Sequence, residues 1–449
     1  YGKNKLYSEG LIVKTSIDSR IQKFADQSLL DGLLNYEKQF DWKGTIENTD
    51  FETFIRKQDY YKKINPFNDK WIPVLVVKKD NTESLIITDI FNNKKNIDLT
   101  YNENIWLMDY IFKPGDVIFI EIKQDNKIVL RQIPKINGGI VVMNPHNGNV
   151  LALSGGYSFK KSEFNRSTQA KRQPGSAFKP FVYLTALEQG YTPSTLILDA
   201  PYVVDQGPGL PKWKPANYTD EFYGLTTMRT GIEKSRNLMT VRLADKIGMD
   251  KILITAEKFG INKNLSSQLS MSLGSGLVSL LDITNAYAMI ANGGNKINPK
   301  IISSIYSKDG KLIYNSSKTS CVGCNINKIS SEKKIPNINK KVINVIDQRI
   351  IYQMTSMMEG VIKTGTAKKL KDLNVPIAGK TGTTNDNKDT WFIGFTPDLV
   401  IGIYVGYDIP KNLGYKQTGS SVAVPIFKSL AKKININPNN IPFRIPSGI

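Results

Sequence analysis

The texture of the chain changes at Ile136, and that change does most to limit what it can fold into. Between Lys43 and Lys135 the apolar residues come in short β-rich runs: Ile72 to Val77, Leu85 to Ile90, Val117 to Ile122 and Lys127 to Ile133. Gln124-Asp125-Asn126 is placed to turn the last two into a hairpin. This predicts a small all-β domain, barrel-like or sandwich-like, over 43–135. After Ile136 an apolar hairpin, Ile140 to Met143 and Val150 to Leu153, opens a mixed region. Two apolar runs, Trp391 to Phe395 and Leu399 to Tyr404, close it. Helical stretches between them, such as Leu281 to Ala291 ending on Asn292-Gly293-Gly294, predict an α+β fold: an antiparallel sheet with helices packed on it. Residues 1–42 read as a connector, a strand from Leu11 to Ile17 and a helix capped by Asp18 with Ile21, Phe24, Leu29, Leu33 and Leu34 on one face. The α+β domain is expected over 136–432, interrupted by a polar loop insertion at about 306–341, with a tail at 433–449. At 449 residues and 50.3 kDa the chain exceeds a single core, which agrees with this division.

Composition removes several chemistries. The one histidine, His146, sits among turn formers in Asn-Pro-His-Asn-Gly and reads as a solvated turn residue. Multi-histidine metal sites are excluded, and a nucleophile here needs a base other than imidazole. Neither metal nor cofactor is expected. Cys321 and Cys324 form a lone C-x-x-C in the polar insertion, without the second pair of a zinc ribbon or the flanking strand and helix of a redox site. They are disulfide candidates for an oxidising compartment, the alternative being a free thiol pair. No run approaches eighteen apolar residues, so neither a membrane span nor a signal peptide is expected, and with Tyr1 in first place the chain reads as a piece of something longer.

The chemistry gathers around Arg172-Gln173-Pro174-Gly175-Ser176-Ala177-Phe178-Lys179. Pro174 and Gly175 break structure ahead of a helical run, which puts Ser176 at a helix N-terminus, where free N–H groups favour a developing oxyanion. Lys179 falls one turn on, on the same face, so a serine nucleophile with a lysine base is geometrically reasonable. The spacing alone says little, because Ser158/Lys161, Ser330/Lys333 and Ser331/Lys334 share it. Ser235-Arg236-Asn237 lies between two helical stretches on a loop able to reach a cleft. Lys-Thr-Gly-Thr occurs twice. The copy at Lys363 to Thr366 closes the amphipathic run Ile351 to Ile362, with Gly365 reading as a helix cap; the copy at Lys380 to Thr383 precedes the closing strands and is expected on a sheet edge beside the cleft.

S-x-x-K with S-D-N and K-T-G is the motif trio of penicillin-binding proteins and class A β-lactamases, and Ser235-Arg236-Asn237 matches the middle member at its first and third positions. The likeness extends through Phe164 to Ala170, Leu273-Gly274-Ser275-Gly276, Thr284 to Ala288 and Asp389 to Phe395. On these residues the chain resembles a class A high-molecular-weight penicillin-binding protein over Ile136 to Lys432, and 43–135 resembles the OB-like insertion of some of its members. The resemblance implies a D,D-transpeptidase that cross-links peptidoglycan stem peptides on glycan strands, is acylated by β-lactams, and works on the periplasmic side of the cytoplasmic membrane with other cell-wall synthesis proteins. An anchor and a glycan-polymerising domain would lie upstream. By that resemblance Ser176 attacks the penultimate D-Ala carbonyl and Lys179, kept neutral by burial and by Lys380, takes the proton. Ser235 relays protons, and Asn237 holds Lys179 or the substrate amide. Lys380 with the hydroxyls of Thr381 and Thr383 binds the terminal carboxylate, Gly382 leaves room for backbone approach, and the N–H groups of Ser176 and Thr383 form the oxyanion hole. The sequence departs from S-D-N in having Arg236 at the middle position, whose role the resemblance leaves open.

Three alternatives stay in view. A β-lactamase needs a deacylating base, often a glutamate on a nearby loop, and no segment resembles that loop. A D,D-carboxypeptidase differs only in using water as the acceptor. A non-catalytic penicillin sensor or scaffold would keep the pocket without the cross-linking. Charge argues against nucleic acid as a partner. The formal net charge is +20. Residues 1–42 hold 6 basic and 6 acidic side chains, 43–135 hold 15 and 14, and 136–449 hold 39 and 20, so the excess is 0, +1 and +19. The β domain lacks the footprint of a phosphate-tracking groove, and the basic excess points to an anionic, carboxylate-bearing polymer beside an anionic membrane.

Overall fold

The computed structural model describes every residue except 1–5, 8–9, 68–69, 81, 206–208, 210, 262–263, 317–319, 323–336 and 340–342, and gives backbone alone for 320–322 and 337–339. Strand β1 (Leu11–Thr15) leads into α1 (Ser19–Glu37), whose first turn is capped by Asp18 accepting from the N–H groups of Arg20 and Ile21 at 2.9 and 3.0 Å. The chain then divides into two compact units. One comprises 30–137 and 156–164, the other 1–29, 138–155 and 165–449. The boundary falls inside α1, so half of that helix goes with the β-rich unit.

The smaller unit holds β2 (Glu47–Asn48), β3 (Trp71–Lys79), β4 (Ser84–Thr88), β5 (Lys94–Asp98), β6 (Asp116–Ile122) and β7 (Ile128–Arg131) in one sheet of order β2-β6-β3-β4-β5, with β7 on β6. Alternation along the strands sorts the two faces. Val74, Val76, Ile118 and Ile120 join Trp42, Leu85 and Ile87 in one core; Leu75 and Val117 face Phe54 and Tyr61 on the other side. Those last two belong to α2 (Phe51–Arg56) and α3 (Gln58–Ile64), short helices absent from the all-β expectation. Asp50 starts α2 by accepting the Thr53 N–H at 2.8 Å.

In the larger unit β8 (Asn137–Met143) and β9 (Val150–Ser154) form the opening hairpin, with His146 exposed in its turn and 2.7 Å from Asp398. The helices follow: α4 (Lys179–Glu188), the hairpin β10 (Leu196–Asp199) and β11 (Gly224–Thr227), α5 (Met228–Glu233), α6 (Asn237–Ile247), α7 (Met249–Lys258) and α8 (Leu280–Ala291). β12 (Ile302–Ser307) pairs with both β1 and β13 (Leu312–Asn315), and β14 (Ser320–Val322) with β15 (Asn337–Asn339). The Cys321–Cys324 pairing lies outside the described residues. After α9 (Gln348–Lys363) come β16 (Ala378–Thr383), β17 (Asp389–Phe395), β18 (Val400–Gly406) and α10 (Val424–Lys433). The sheet runs β16-β17-β18-β8-β9, with antiparallel pairing in β16–β17, β17–β18 and β8–β9.

Every residue of β17 and β18 is buried, so helices cover both faces of the sheet. α4 is apolar nearly all round and buried from Lys179 to Leu187, packed against α6, α7 and α9. A lysine on such a helix is carried into the core. β16 is the sheet's edge strand and lies against α9 and the turn that precedes α4, which brings the second Lys-Thr-Gly-Thr beside Ser176. Among the described residues no helix is long and apolar enough to cross a membrane.

Candidate active site

Ser176 occupies a 3₁₀ turn, Gly175–Phe178, that runs directly into α4 at Lys179. Gly175 adopts the left-handed conformation at φ +54°, and a Cβ there would stand 2.3 Å from the Thr383 carbonyl oxygen. The two backbones from which an oxyanion hole is expected therefore touch. Gly274 supports the turn from behind: its φ is +81° and a Cβ would meet Gly175 O at 2.1 Å. It belongs to the Leu273-Gly274-Ser275-Gly276 segment, to which the sequence assigned no task.

Lys179 and Lys380 are both 0% exposed. Lys179 Nζ donates to Ser235 O at 2.7 Å and to Asn237 Oδ1 at 2.7 Å, and lies 3.4 Å from Ser235 Oγ. Lys380 Nζ donates to the same Ser235 Oγ at 2.9 Å and to Thr381 O at 3.2 Å. One hydroxyl thus bridges two buried amines. Ser235 is held at φ +59°, a left-handed conformation that costs a non-glycine residue about 1 kcal/mol or more, in the middle of the short loop between α5 and α6. Burial, and then the charge of Lys380, push the Lys179 ammonium well below its usual range; Asp199 opposes the shift and Arg236 adds to it. Burial alone brings Lys380 down to about 7.

The structure brings Lys179, Ser235, Asn237 and Lys380 together, with Ser176 three residues before Lys179 on the turn that abuts Thr383. A cavity of about 310 Å³ is bordered by Gly175, Asn237 and Thr383, along with Trp213, Gly274 and Ser275. Thr381 is buried instead, its hydroxyl 2.7 Å from that of Thr366. Gly382 leaves room for a backbone approach, and the backbone that takes it here is that of the nucleophile turn: a Cβ on Gly382 would meet Pro174 O at 2.4 Å. The first Lys-Thr-Gly-Thr is also not a plain helix cap. α9 ends on Thr364, and Gly365 does not turn left-handed; a Cβ on it would strike Glu233 O at 2.3 Å. This copy lies behind the cleft, tying the end of α5 to β16 through Thr366. Of the rival S-x-x-K pairs, Ser158 hydrogen-bonds Pro66 O in the smaller unit, and Ser330/Lys333 and Ser331/Lys334 lie outside the described residues.

Sequence reasoning also missed Asp199, Asn217 and Trp213. Asn217 Oδ1 accepts the N–H of Asn237 at 2.9 Å and of Leu238 at 3.3 Å, capping α6 from a distant loop. The only signal was a lone acid closing the apolar run Leu196-Ile197-Leu198, too weak to single out.

A helix-flanked sheet with a serine at a helix start, a lysine one turn on and Lys-Thr-Gly on the edge strand defines the class that joins penicillin-binding proteins to class A β-lactamases. Within that class the assignment narrows. The family model described as penicillin binding protein transpeptidase domain matches residues 138–432, and the chain belongs to that family. It is similar over its whole length to penicillin-binding protein 1A of Rickettsia typhi, 43% identical across 452 residues that make up 57% of that protein. Penicillin-binding protein 1A of Pseudomonas aeruginosa is 31% identical across 477 residues, 95% of this chain and 57% of the relative. The chain thus spans little more than half the length of these relatives. The crystal structure of penicillin-binding protein 1A from Haemophilus influenzae matches with a TM-score of 0.84 at 27% identity, over 99% of this chain and 69% of that one. The PonA1 protein from Mycobacterium tuberculosis in complex with penicillin V shares the fold, with a TM-score of 0.65 at 20% identity over 100% of this chain and 92% of that chain.

Proposed function

We propose that this chain is a serine D,D-transpeptidase that cross-links peptidoglycan stem peptides through an acyl-enzyme on Ser176. Ser176 Oγ attacks the carbonyl of the penultimate D-Ala while its proton passes to neutral Lys179. The tetrahedral oxyanion sits against the N–H groups of Ser176 and Thr383, donors whose individual loss costs on the order of 10²- to 10³-fold in rate. The C–N bond breaks, the proton returns to the leaving nitrogen through Ser235, and D-Ala departs. An amine from a neighbouring stem then attacks the ester, gives up its proton along the same path and regenerates Ser176. A protonated Lys380 holds the terminal carboxylate with Thr383 beside it. A β-lactam acylates Ser176 in the same way, but its leaving nitrogen stays tethered.

The observation that carries this reading is the Ser235 hydroxyl lying between two buried amines, 2.9 Å from Lys380 and 3.4 Å from Lys179. Burial supports a division of labour: Lys179 neutral as base, Lys380 charged when a carboxylate arrives. Glycan strands, cell-wall synthesis partners, an anchor upstream of Tyr1 and a site outside the cytoplasmic membrane belong to the same proposal, as does the OB-like reading of the smaller unit.

Labelling with a fluorescent penicillin followed by peptide mapping tests it. The adduct is expected on the peptide containing Ser176 and is lost in Ser176→Ala; an adduct on Ser158, or one that survives the substitution, refutes the assignment. Given a stem-peptide thioester and a D-amino acid, the protein is expected to form the exchange product. Hydrolysis without exchange would make it a D,D-carboxypeptidase, and rapid release of penicilloate a β-lactamase.

A further inference from the structure

Asp199, at the end of β10, is 0% exposed and takes no part in the mechanism above. Its Oδ1 accepts a hydrogen bond from Asn217 Nδ2 at 2.8 Å, whereas its Oδ2 is buried without one. A buried carboxylate in that state is costly unless a cation stands by. The cation is Arg236, whose Nε lies 3.8 Å from Oδ2. Its guanidinium also stacks on the Tyr223 ring, 3.4 Å from the centroid, so the side chain is held by both ring and carboxylate. The residue between Ser235 and Asn237 thus faces back into β10. The acid that S-D-N would carry on the loop is here supplied from a strand, with a cation on the loop to meet it.

Asn217 links the carboxylate to the site. The amide that donates to Asp199 also caps α6 by accepting from the Asn237 and Leu238 N–H groups, a task for which Arg236, the residue at the cap position, offers no side-chain bond. Asn237 in turn accepts from Lys179 Nζ at 2.7 Å and donates to Ala216 O at 2.7 Å. Carboxylate, cap, asparagine and lysine form one chain of contacts.

We propose that Asp199 and Arg236 are a coupled pair of positioning residues: the carboxylate holds the Ser235–Asn237 loop against Lys179 through Asn217, and supplies the negative charge that Lys179 and Arg236 face. The charged groups acting on Lys179 are Lys380 from β16, Arg236 from the α5–α6 loop and Asp199 from β10; Tyr183 on α4 is kept neutral by burial. Arg236 and Lys380 drive the proton off Lys179 and Asp199 draws it back, so the pair sets the lower pH bound of a working base.

This inference rests on Lys179 being that base, and the test separates the two. The second-order rate of acylation by a fluorescent penicillin is followed from about pH 4 to about pH 9 for the parent, Asp199→Asn, Arg236→Gln and the double variant, with thermal melts of each. Asp199→Asn keeps an oxygen for Asn217 and removes the charge; its acid limb should move down by about one pH unit, that of Arg236→Gln up by less, and the double variant should lie between the parent and Asp199→Asn. A parent without an acid limb overturns the base assignment and this inference with it. A parent limb that stays fixed in both single variants, or moves the same way in both, overturns the pair alone, as does a uniform loss of rate across the pH range. Should Asp199→Asn fail to fold, Arg236→Gln read against Arg236→Lys decides: only the loss of charge should raise the limb.

Discussion

Replacing Lys380 by methionine should make the protein more stable at low pH and less stable at high pH. The side chain is completely buried, and burial lowers its pKa from 10.5 in the unfolded chain to about 7. Between those values the unfolded chain binds a proton that the folded chain does not, so stability rises with pH across that window, and below pH 7 the folded protein bears the full cost of a buried ammonium. A drop of roughly 3.5 units at 1.36 kcal/mol each makes that cost about 5 kcal/mol. Lys380→Met removes it but leaves Ser235 Oγ without its 2.9 Å donor and Thr381 O without its 3.2 Å donor, a loss of about 1–3 kcal/mol. The variant should therefore gain about 2–4 kcal/mol near pH 6 and lose about 1–3 kcal/mol above pH 10, with the sign changing between. Urea denaturation of parent and variant across that range measures it, and the difference cancels the titration of the lysines and tyrosines remote from Lys380; Lys179, which feels the Lys380 charge, is the exception. A variant that is less stable at every pH, or a difference that does not change with pH, would mean that the amine is solvated or is held by an anion, and would refute the account of Lys380 as an amine buried without a counter-charge.

Three further outcomes follow from particular contacts. Gly175→Ala places a methyl group against Thr383 O and forces a left-handed φ on alanine, so the Ser176 turn must move off β16; penicillin acylation should fall by about 10²-fold or more, read as a second-order rate constant. Asp389 is buried and accepts from Arg172 at 2.8 Å and from the Tyr404 hydroxyl at 3.1 Å, so Asp389→Ala should cost about 3 kcal/mol in denaturant unfolding by leaving the guanidinium with carbonyl partners but no counter-charge. Transpeptidation of polymeric substrate should weaken with salt far more than acylation by a small penicillin; equal salt dependence would leave the +19 of residues 136–449 without a purpose.

What could be read of the fold was what local patterning controls. The runs at Ile72, Val117, Trp391 and Leu399 became β3, β6, β17 and β18 because a strand buried on one or both faces must be apolar at every second position or at all of them. β5 has no such pattern: in Lys-Lys-Asn-Ile-Asp only Ile97 is buried, and the strand exists because β4 offers it a ladder. β1 is largely exposed and pairs with β12, across most of the chain. α2 was hidden by its aromatic residues, which read equally well as strand until Asp50 is seen capping the first turn.

At the site the same division holds, and it separates chemistry from support. The reacting groups were legible because their spacing is local: Ser176 and Lys179 lie a turn apart, Ser235 and Asn237 on one loop, and the choice of Lys380 over Lys363 turned on a closing strand against a closing helix. The groups that hold them are single side chains reaching across the fold. Asp199 meets Arg236, Asn217 caps Asn237, Thr366 meets Thr381, and none of these contacts leaves a pattern in the residues around it. Burial, which decides the chemistry, was expected for Lys179 only through the family resemblance and was not foreseen for Lys380. The surface lysines that make up most of the +19, such as Lys368, Lys369, Lys371 and Lys428 around a second concavity of about 740 Å³, are screened within a Debye length of about 8–10 Å. Lys179 and Lys380, drawn from the same composition, are shielded from solvent and interact at close range. Salt can therefore weaken the attraction of a polymer while leaving the proton balance between the two amines intact, and only the positions of α4 and β16 in the fold distinguish the two populations of lysine.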